Sequence, residues 1–142
     1  PDGSLDRAAL RAQVLADPQA LADLNQLVHP AVLRLREARV AALREAGARI
    51  VVTDIPLLFE AADPAAFDAV VLVAAPADLR RQRLFERSGL PPREAERLIA
   101  AQMPSEMKRS RATFVIDNDA DLATLEARAR EVWAALEARV RA

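Results

Sequence analysis

Asp54 closes an apolar run, "RIVVTD", and is followed at once by Ile55 and Pro56. An ionised carboxylate at the end of a buried strand is costly unless a charged group meets it. In α/β folds ligands sit beyond the carboxyl ends of the strands. An acid there can hold Mg2+, directly or through water, or accept a substrate proton. The same position also suits an acid that caps the next turn or pairs with an arginine. Arg83 and Arg87 are four residues apart on a predicted helix and share one face, with Arg80 close by. Guanidinium groups bind phosphate oxygens through forked, charge-assisted hydrogen bonds. Against that stands a solvated face paired internally with Glu86, Glu94 and Glu96. Lys108 is the only lysine among 20 basic residues, so arginine at a given place is weak evidence of a phosphate site.

Further candidates lie around these. In "PLLFE", Pro56 sets the direction of a loop, Leu57, Leu58 and Phe59 are apolar, and Glu60 is the lone charge. Three apolar residues in a loop either plug the core or line a pocket. His29 is the one histidine and makes no metal site by itself; it closes a helix as a polar cap or contacts a substrate. Asn118, after "VID", satisfies a turn or touches a ligand at the carboxyl edge of the sheet. A strand-end acid and an arginine stripe would together serve phosphoryl transfer, which is positioning plus charge neutralisation with Mg2+ and arginines around the γ-phosphate. That chemistry also needs a phosphate cradle, GxxxxGKS or GxxxxGKT, between a strand and a helix. The glycines are Gly3, Gly47 and Gly89, and Lys108 stands in "SEMKRS" with none of them near. These residues contain no such cradle.

The elements that must position the candidates follow from caps and periodicity. Ser4 or Asp6 can cap a first helix running to about Ala16, and Asp17-Pro18 opens a second toward Val28. His29-Pro30 breaks that helix and starts a third, "AVLRLREARVAALREA". Its Val32, Leu33, Leu35, Val40 and Leu43 recur at helical spacing, and Gly47 stops it. The period then changes. "RIVVTD" and "AVVLVA" are short, β-branched and continuously apolar, the pattern of strands buried on both faces of a parallel sheet. "TFVID" is a third strand. Helices run from Pro76 to Ser88, stopped by Gly89, from Pro91-Pro92, and after Pro104. A last helix, capped by Asp119 or Asp121, covers "LATLEARAREVWAALEARV". Strands alternating with helices predict an α/β fold with a mainly parallel sheet.

Bulk properties bound the function. A chain of 142 residues suffices for one domain with a real core. Net charge is -1, which favours neither nucleic acid nor an anionic membrane as partner. No apolar run approaches the roughly 20 residues of a membrane helix, and the polar start "PDGSLDR" does not read as a leader. The lack of cysteine excludes a disulfide scaffold and agrees with a cytoplasmic location. Pro1-Asp2-Gly3, with no Met before it, reads as a turn inside something longer.

Four stretches converge on a family. "DGSLDRAALRAQVLADPQALADLNQLVHP" resembles the substrate-binding stretch of bacterial dephospho-CoA kinases, and "VVTDIPLLFE" resembles that family's strand ending in an acid and PLL-x-E. "RQRLFERSGLPPREAERLIAAQ" resembles its lid, and "ATFVIDND" its AD-x-V-I-x-N strand. The matches fall in the family's order and cover nearly the whole chain. The resemblance implies a P-loop kinase fold, a parallel sheet flanked by helices, with a helical CoA-binding part and a mobile lid. It implies ATP-dependent phosphorylation, with Mg2+, of the 3′-hydroxyl of dephospho-CoA, the last step of coenzyme A synthesis. On that pattern residues 1–47 are the acceptor-binding part, 48–75 the core strands and the PLLFE loop, 76–111 the lid, and 112–142 the last strand and helix. Arg7 and His29 belong to the acceptor-binding helices, Asp54 stands beside the Mg2+-phosphate site, and Leu57, Leu58 and Glu60 border the acceptor pocket. Arg83 and Arg87 are lid arginines reaching phosphates, and Asn118 lies near the adenine end. Thr113 departs from the family's usual acid, and Asp119-Ala120 from its usual glycine-containing turn.

The family's first strand, its P-loop and its acidic pair would precede Pro1, so these 142 residues alone are expected to be inactive. That first strand would lie between 50–54 and 69–74. Without it two strand edges stay unpaired and invite a second copy. A stand-alone CoA- or nucleotide-binding module without chemistry, and a different nucleoside monophosphate kinase, are the alternative readings.

Overall fold

The computed structural model describes residues 5–89 and 91–141. The turn read at Pro1-Asp2-Gly3 and the alternative cap Ser4 lie outside them. Contacts divide the chain into two compact units rather than one domain, the first ending at Val51 and the second beginning at Val52.

The first unit is helical. Helix α1 (Arg7–Ala16) starts where the Asp6 carboxylate accepts the Ala9 N–H at 2.9 Å, the N-cap geometry that meets one orphan donor of a first turn. Asp17 does the same for α2 (Pro18–Glu45), accepting the Gln19 N–H at 2.8 Å, with Pro18 at the first helical position. The predicted break at His29-Pro30 does not occur: α2 is one helix of 28 residues with Pro30 inside it. Proline removes one helical hydrogen bond and crowds the turn before it, a cost of about 3 kcal/mol, and here good helix formers on both sides outweigh it. His29 is accordingly an interior helical residue and not a cap. The predicted stop at Gly47 holds, since Gly47 takes φ +81°. The Gly47 N–H donates to the Arg44 carbonyl at 2.9 Å and the Ala48 N–H to that of Leu43 at 3.0 Å, the paired bonds of a Schellman ending. α1 packs against α2.

The second unit is α/β. Residues 50–54, predicted as a strand, join no ladder among the described residues. The backbone there is irregular, with Thr53 and Ile55 half-buried and Val52 and Asp54 exposed. β-branched composition favours an extended chain, but a strand exists only where a neighbour accepts its hydrogen bonds. A one-turn helix α3 (Leu58–Ala61) and a 3-10 turn (Pro64–Ala66) follow. Strand β1 (Val71–Ala74) pairs in parallel with β2 (Phe114–Asp117), Val71 opposite Phe114 and Ala74 opposite Asp117. Between them run α4 (Ala77–Ser88), α5 (Pro92–Ala100) and α6 (Ser105–Arg109), and α7 (Leu122–Arg141) closes the chain.

Local chemistry sets these boundaries. Gly89 ends α4 at φ +61°, Pro92 opens α5, and Asp121, one of the two predicted caps, accepts the Thr124 N–H at 2.8 Å. Thr113 begins the ladder: its hydroxyl accepts the Val70 N–H at 3.0 Å while its own N–H donates to the Val70 carbonyl at 2.8 Å. The buried apolar residues are Val70, Ala74, Ala95 and Ile116. β1 is not buried on both faces as predicted, because Val71 and Val73 are exposed. With a single partner strand and helices α6 near β1 and α7 against β2, one face of β1 is left uncovered.

Candidate functional site

The carboxyl ends of β1 and β2 gather the polar side chains. The Asn118 N–H donates to the Ala74 carbonyl at 2.7 Å, extending the pairing one step past the strand. From α4, Arg83 reaches across and donates through Nη1 to the Asn118 carbonyl at 3.2 Å. Two predicted residues far apart in sequence therefore meet at the edge where an α/β sheet holds ligands. Arg83 is half-buried, whereas Arg87, one turn on, is exposed and has no partner among the described residues. Arg80, one turn before, is half-buried, and its Nε is buried with no hydrogen-bond partner. Buried donors without a partner are uncommon in folded proteins. Of the internal pairing expected for a solvated face, the part assigned to Glu86 is not made: Glu86 accepts from Gln82 at 2.8 Å rather than from an arginine.

Two further arginines, absent from the sequence reading, clamp the same strand end. Arg109 of α6 bonds the Asp117 carboxylate, and this raises the Arg109 pKa further. Arg128 of α7 donates to the Asp117 carbonyl and to the Asp119 carboxylate, the latter at 2.6 Å. Its hydrogen bond holds the Asp119 carboxyl below its ordinary 3.8. The loop that carries Asn118 is therefore held from both sides by charge-assisted bonds. No spacing rule in the sequence links α7 to this loop; the sheet brings them together.

The loop after Asp54 is held elsewhere. Asp54 is exposed and has no hydrogen-bond or ion-pair partner among the described residues, so neither a capping nor an arginine-pairing role uses it. Leu57 is 46% exposed, while Leu58 and Phe59 are half-buried. Glu60 pairs with Lys108 at 2.7 Å and accepts the Met103 N–H at 2.8 Å. Burial pushes the Glu60 carboxyl up, but the bonds from Lys108 and Met103 outweigh it and hold the group below its ordinary 4.5. Lys108 and Arg111 lie 6.0 and 5.7 Å from the centre of the Phe59 ring, within cation–π range. Arg7 on α1 and His29 on α2 are exposed positions of the helical unit.

Among the described residues no three His, Cys, Asp or Glu side chains group as a metal cage. A lone free carboxylate such as Asp54 still fits Mg2+, which is commonly held by one or two carboxylates together with substrate phosphates and water.

A family model, dephospho-CoA kinase, matches residues 1–124. The dephospho-CoA kinase of Syntrophotalea carbinolica is 44% identical over 120 residues, 84% of this chain and 57% of the relative. That of Anaeromyxobacter dehalogenans is 46% identical over 118 residues, and that of Leifsonia xyli 45% over 138 residues. The chain covers 56% of the former and 69% of the latter, and so spans under two thirds of the length of several relatives it matches. Among solved structures, TT1252 from Thermus thermophilus is 40% identical, with a TM-score of 0.71 over 96% of this chain and 70% of that one. A dephospho-CoA kinase from Campylobacter jejuni, 23% identical, shares the fold with a TM-score of 0.67 over 95% of this chain and 67% of that one. The chain belongs to the dephospho-CoA kinase family.

Proposed function

We propose that the protein carrying this chain is a dephospho-CoA kinase, which moves the γ-phosphoryl group of ATP to the 3′-hydroxyl of dephospho-CoA. The bond from the γ-phosphorus to the bridging oxygen of ADP breaks, a bond from it to the 3′-oxygen forms, and the hydroxyl proton is released; the products are CoA and ADP. The observation that carries the reading is Arg83, held at the carboxyl edge of a parallel sheet in a chain of this family. With the orphaned Nε of Arg80 and the free guanidinium of Arg87, it would neutralise charge on the transferring phosphoryl group, the term on which such transfer chiefly depends. Asp54, with no partner among the described residues, would hold Mg2+ or orient the acceptor. When bound, Mg2+ would neutralise phosphate charge. Asn118, fixed by Arg83 and the β1 carbonyl, would border the nucleotide. Leu57, Leu58 and Glu60 would border the acceptor pocket, and Arg7 and His29 would contact the acceptor from the helical unit.

A cytoplasmic location belongs to the same proposal and rests on its substrates, ATP and dephospho-CoA. Full-length protein incubated with ATP, Mg2+ and dephospho-CoA should yield CoA and ADP in equal amounts. Phosphorylation of nucleoside monophosphates with dephospho-CoA untouched would point to the other kinase class. Binding of CoA without any ADP release would point to a module without chemistry.

A further inference from the structure

Lys108, the one lysine of the chain, is 8% exposed and stands outside the group of Arg80, Arg83 and Arg87. A buried ammonium persists where charge and hydrogen bonds meet it. Here it engages two successive residues of α3 at once, the Glu60 carboxylate at 2.7 Å and the Phe59 ring at 6.0 Å. The next residue of α6, Arg109, bonds Asp117 at the end of β2. The five residues of α6 therefore bolt the loop that follows Asp54 to the strand end that carries Asn118. Lys108 is the bolt's acceptor-side half.

We propose that Lys108 is a positioning residue for phosphoryl transfer, holding the 54–60 loop at its working distance from the carboxyl edge of the sheet through Glu60 and Phe59. This rests on the kinase reading above. Lys108 need touch neither substrate. Its effect follows from the steep dependence of transfer on placement, where an error of about 1 Å can cost roughly a hundredfold in rate.

The experiment uses the full-length protein with Lys108→Met, Lys108→Arg, Glu60→Gln and the double variant Lys108→Met with Glu60→Gln. Lys108→Met is expected to lower kcat/KM for dephospho-CoA by about tenfold or more, with KM for ATP within about twofold of the parent. Lys108→Arg keeps the ion pair and should restore most of the loss. The double variant should be no worse than the poorer single one, because both remove the same contact. Should Lys108→Met fail to fold, Glu60→Gln tests the contact with less disturbance and should show the same asymmetry between substrates. Parent-like kcat/KM in a folded Lys108→Met or Glu60→Gln protein overturns the proposal. So does a loss that lies in KM for ATP with kcat unchanged, or a double variant with the full sum of the single losses. A parent inactive on dephospho-CoA would defeat the kinase reading and this inference with it, a result distinct from an active parent with indifferent variants.

Discussion

At the residue scale the carboxyl edge of the sheet separates arginines with partners from arginines without. Arg109 and Arg128 are spent on Asp117 and Asp119, whereas Arg87 has no partner among the described residues and Arg83 gives one bond to a backbone carbonyl. Arg83→Ala in the full-length enzyme is expected to lower kcat by about a hundredfold or more and leave acceptor KM nearly unchanged, since the lost interaction acts on transition-state charge. Steady-state kinetics with both substrates varied checks this, and an unchanged kcat would return Arg83 to a role in packing. Glu60 makes a different prediction. Its folded-state pKa lies below the ordinary 4.5, so its contribution to stability is present above that value and disappears as the pH falls through the lowered one. Thermal melts between pH 7 and pH 3 should show the parent losing an increment of stability that Glu60→Gln, lacking the titration, does not lose over the same interval. Parallel curves for the two proteins would argue against the Lys108 pair as the cause.

At the element scale two helix features carry measurable costs. Pro30 lies inside α2, where it forfeits a backbone hydrogen bond. Pro30→Ala is expected to stabilise the chain by up to about 3 kcal/mol, read as a higher denaturation midpoint at unchanged slope. A lower midpoint would mean that the proline is needed for packing against α1. Gly89 holds φ +61° with nothing near enough to clash with an added Cβ. Gly89→Ala should therefore cost only the backbone strain of a left-handed residue, about 1 kcal/mol. A loss several times larger would show that the α4–α5 turn is under constraints that its open surroundings do not reveal. These elements were legible beforehand because each rests on neighbours in sequence: Asp17 before Pro18, Gly89 after Ser88, Asp121 before Leu122.

At the scale of the molecule the sheet is the weak point. Two paired strands are marginal by themselves, and β1 leaves Val71 and Val73 exposed, at 38% and 57%. The 142 residues alone are expected to associate as concentration rises, by pairing across the free edge of β1. Sedimentation velocity over a hundredfold concentration range checks it, and a monomer throughout would show that the edge is already protected. A charge placed outward on β1, Val73→Lys, should suppress the association while leaving the helical content intact.

Caps, glycine stops, the alternation of strands with helices and the family signatures are all carried by residues adjacent or nearly adjacent in the chain, and these the amino-acid sequence determined by itself. It placed Arg83 on a helix and Asn118 just after a strand for the same reason. It misread the joint at His29-Pro30, because a local rule about proline cannot weigh the helix formers on both sides. It read 50–54 as a strand with an unpaired edge; the segment does join no ladder among the described residues, and without a neighbour to complete the hydrogen bonds it is not a strand. That Arg83 meets Asn118, that Arg128 grips the end of β2, and that Lys108 pairs with Glu60 emerges only from the folded arrangement. Those are contacts between different elements, and their distances exist only once the parallel pairing of β1 with β2 has set the helices around the strand ends.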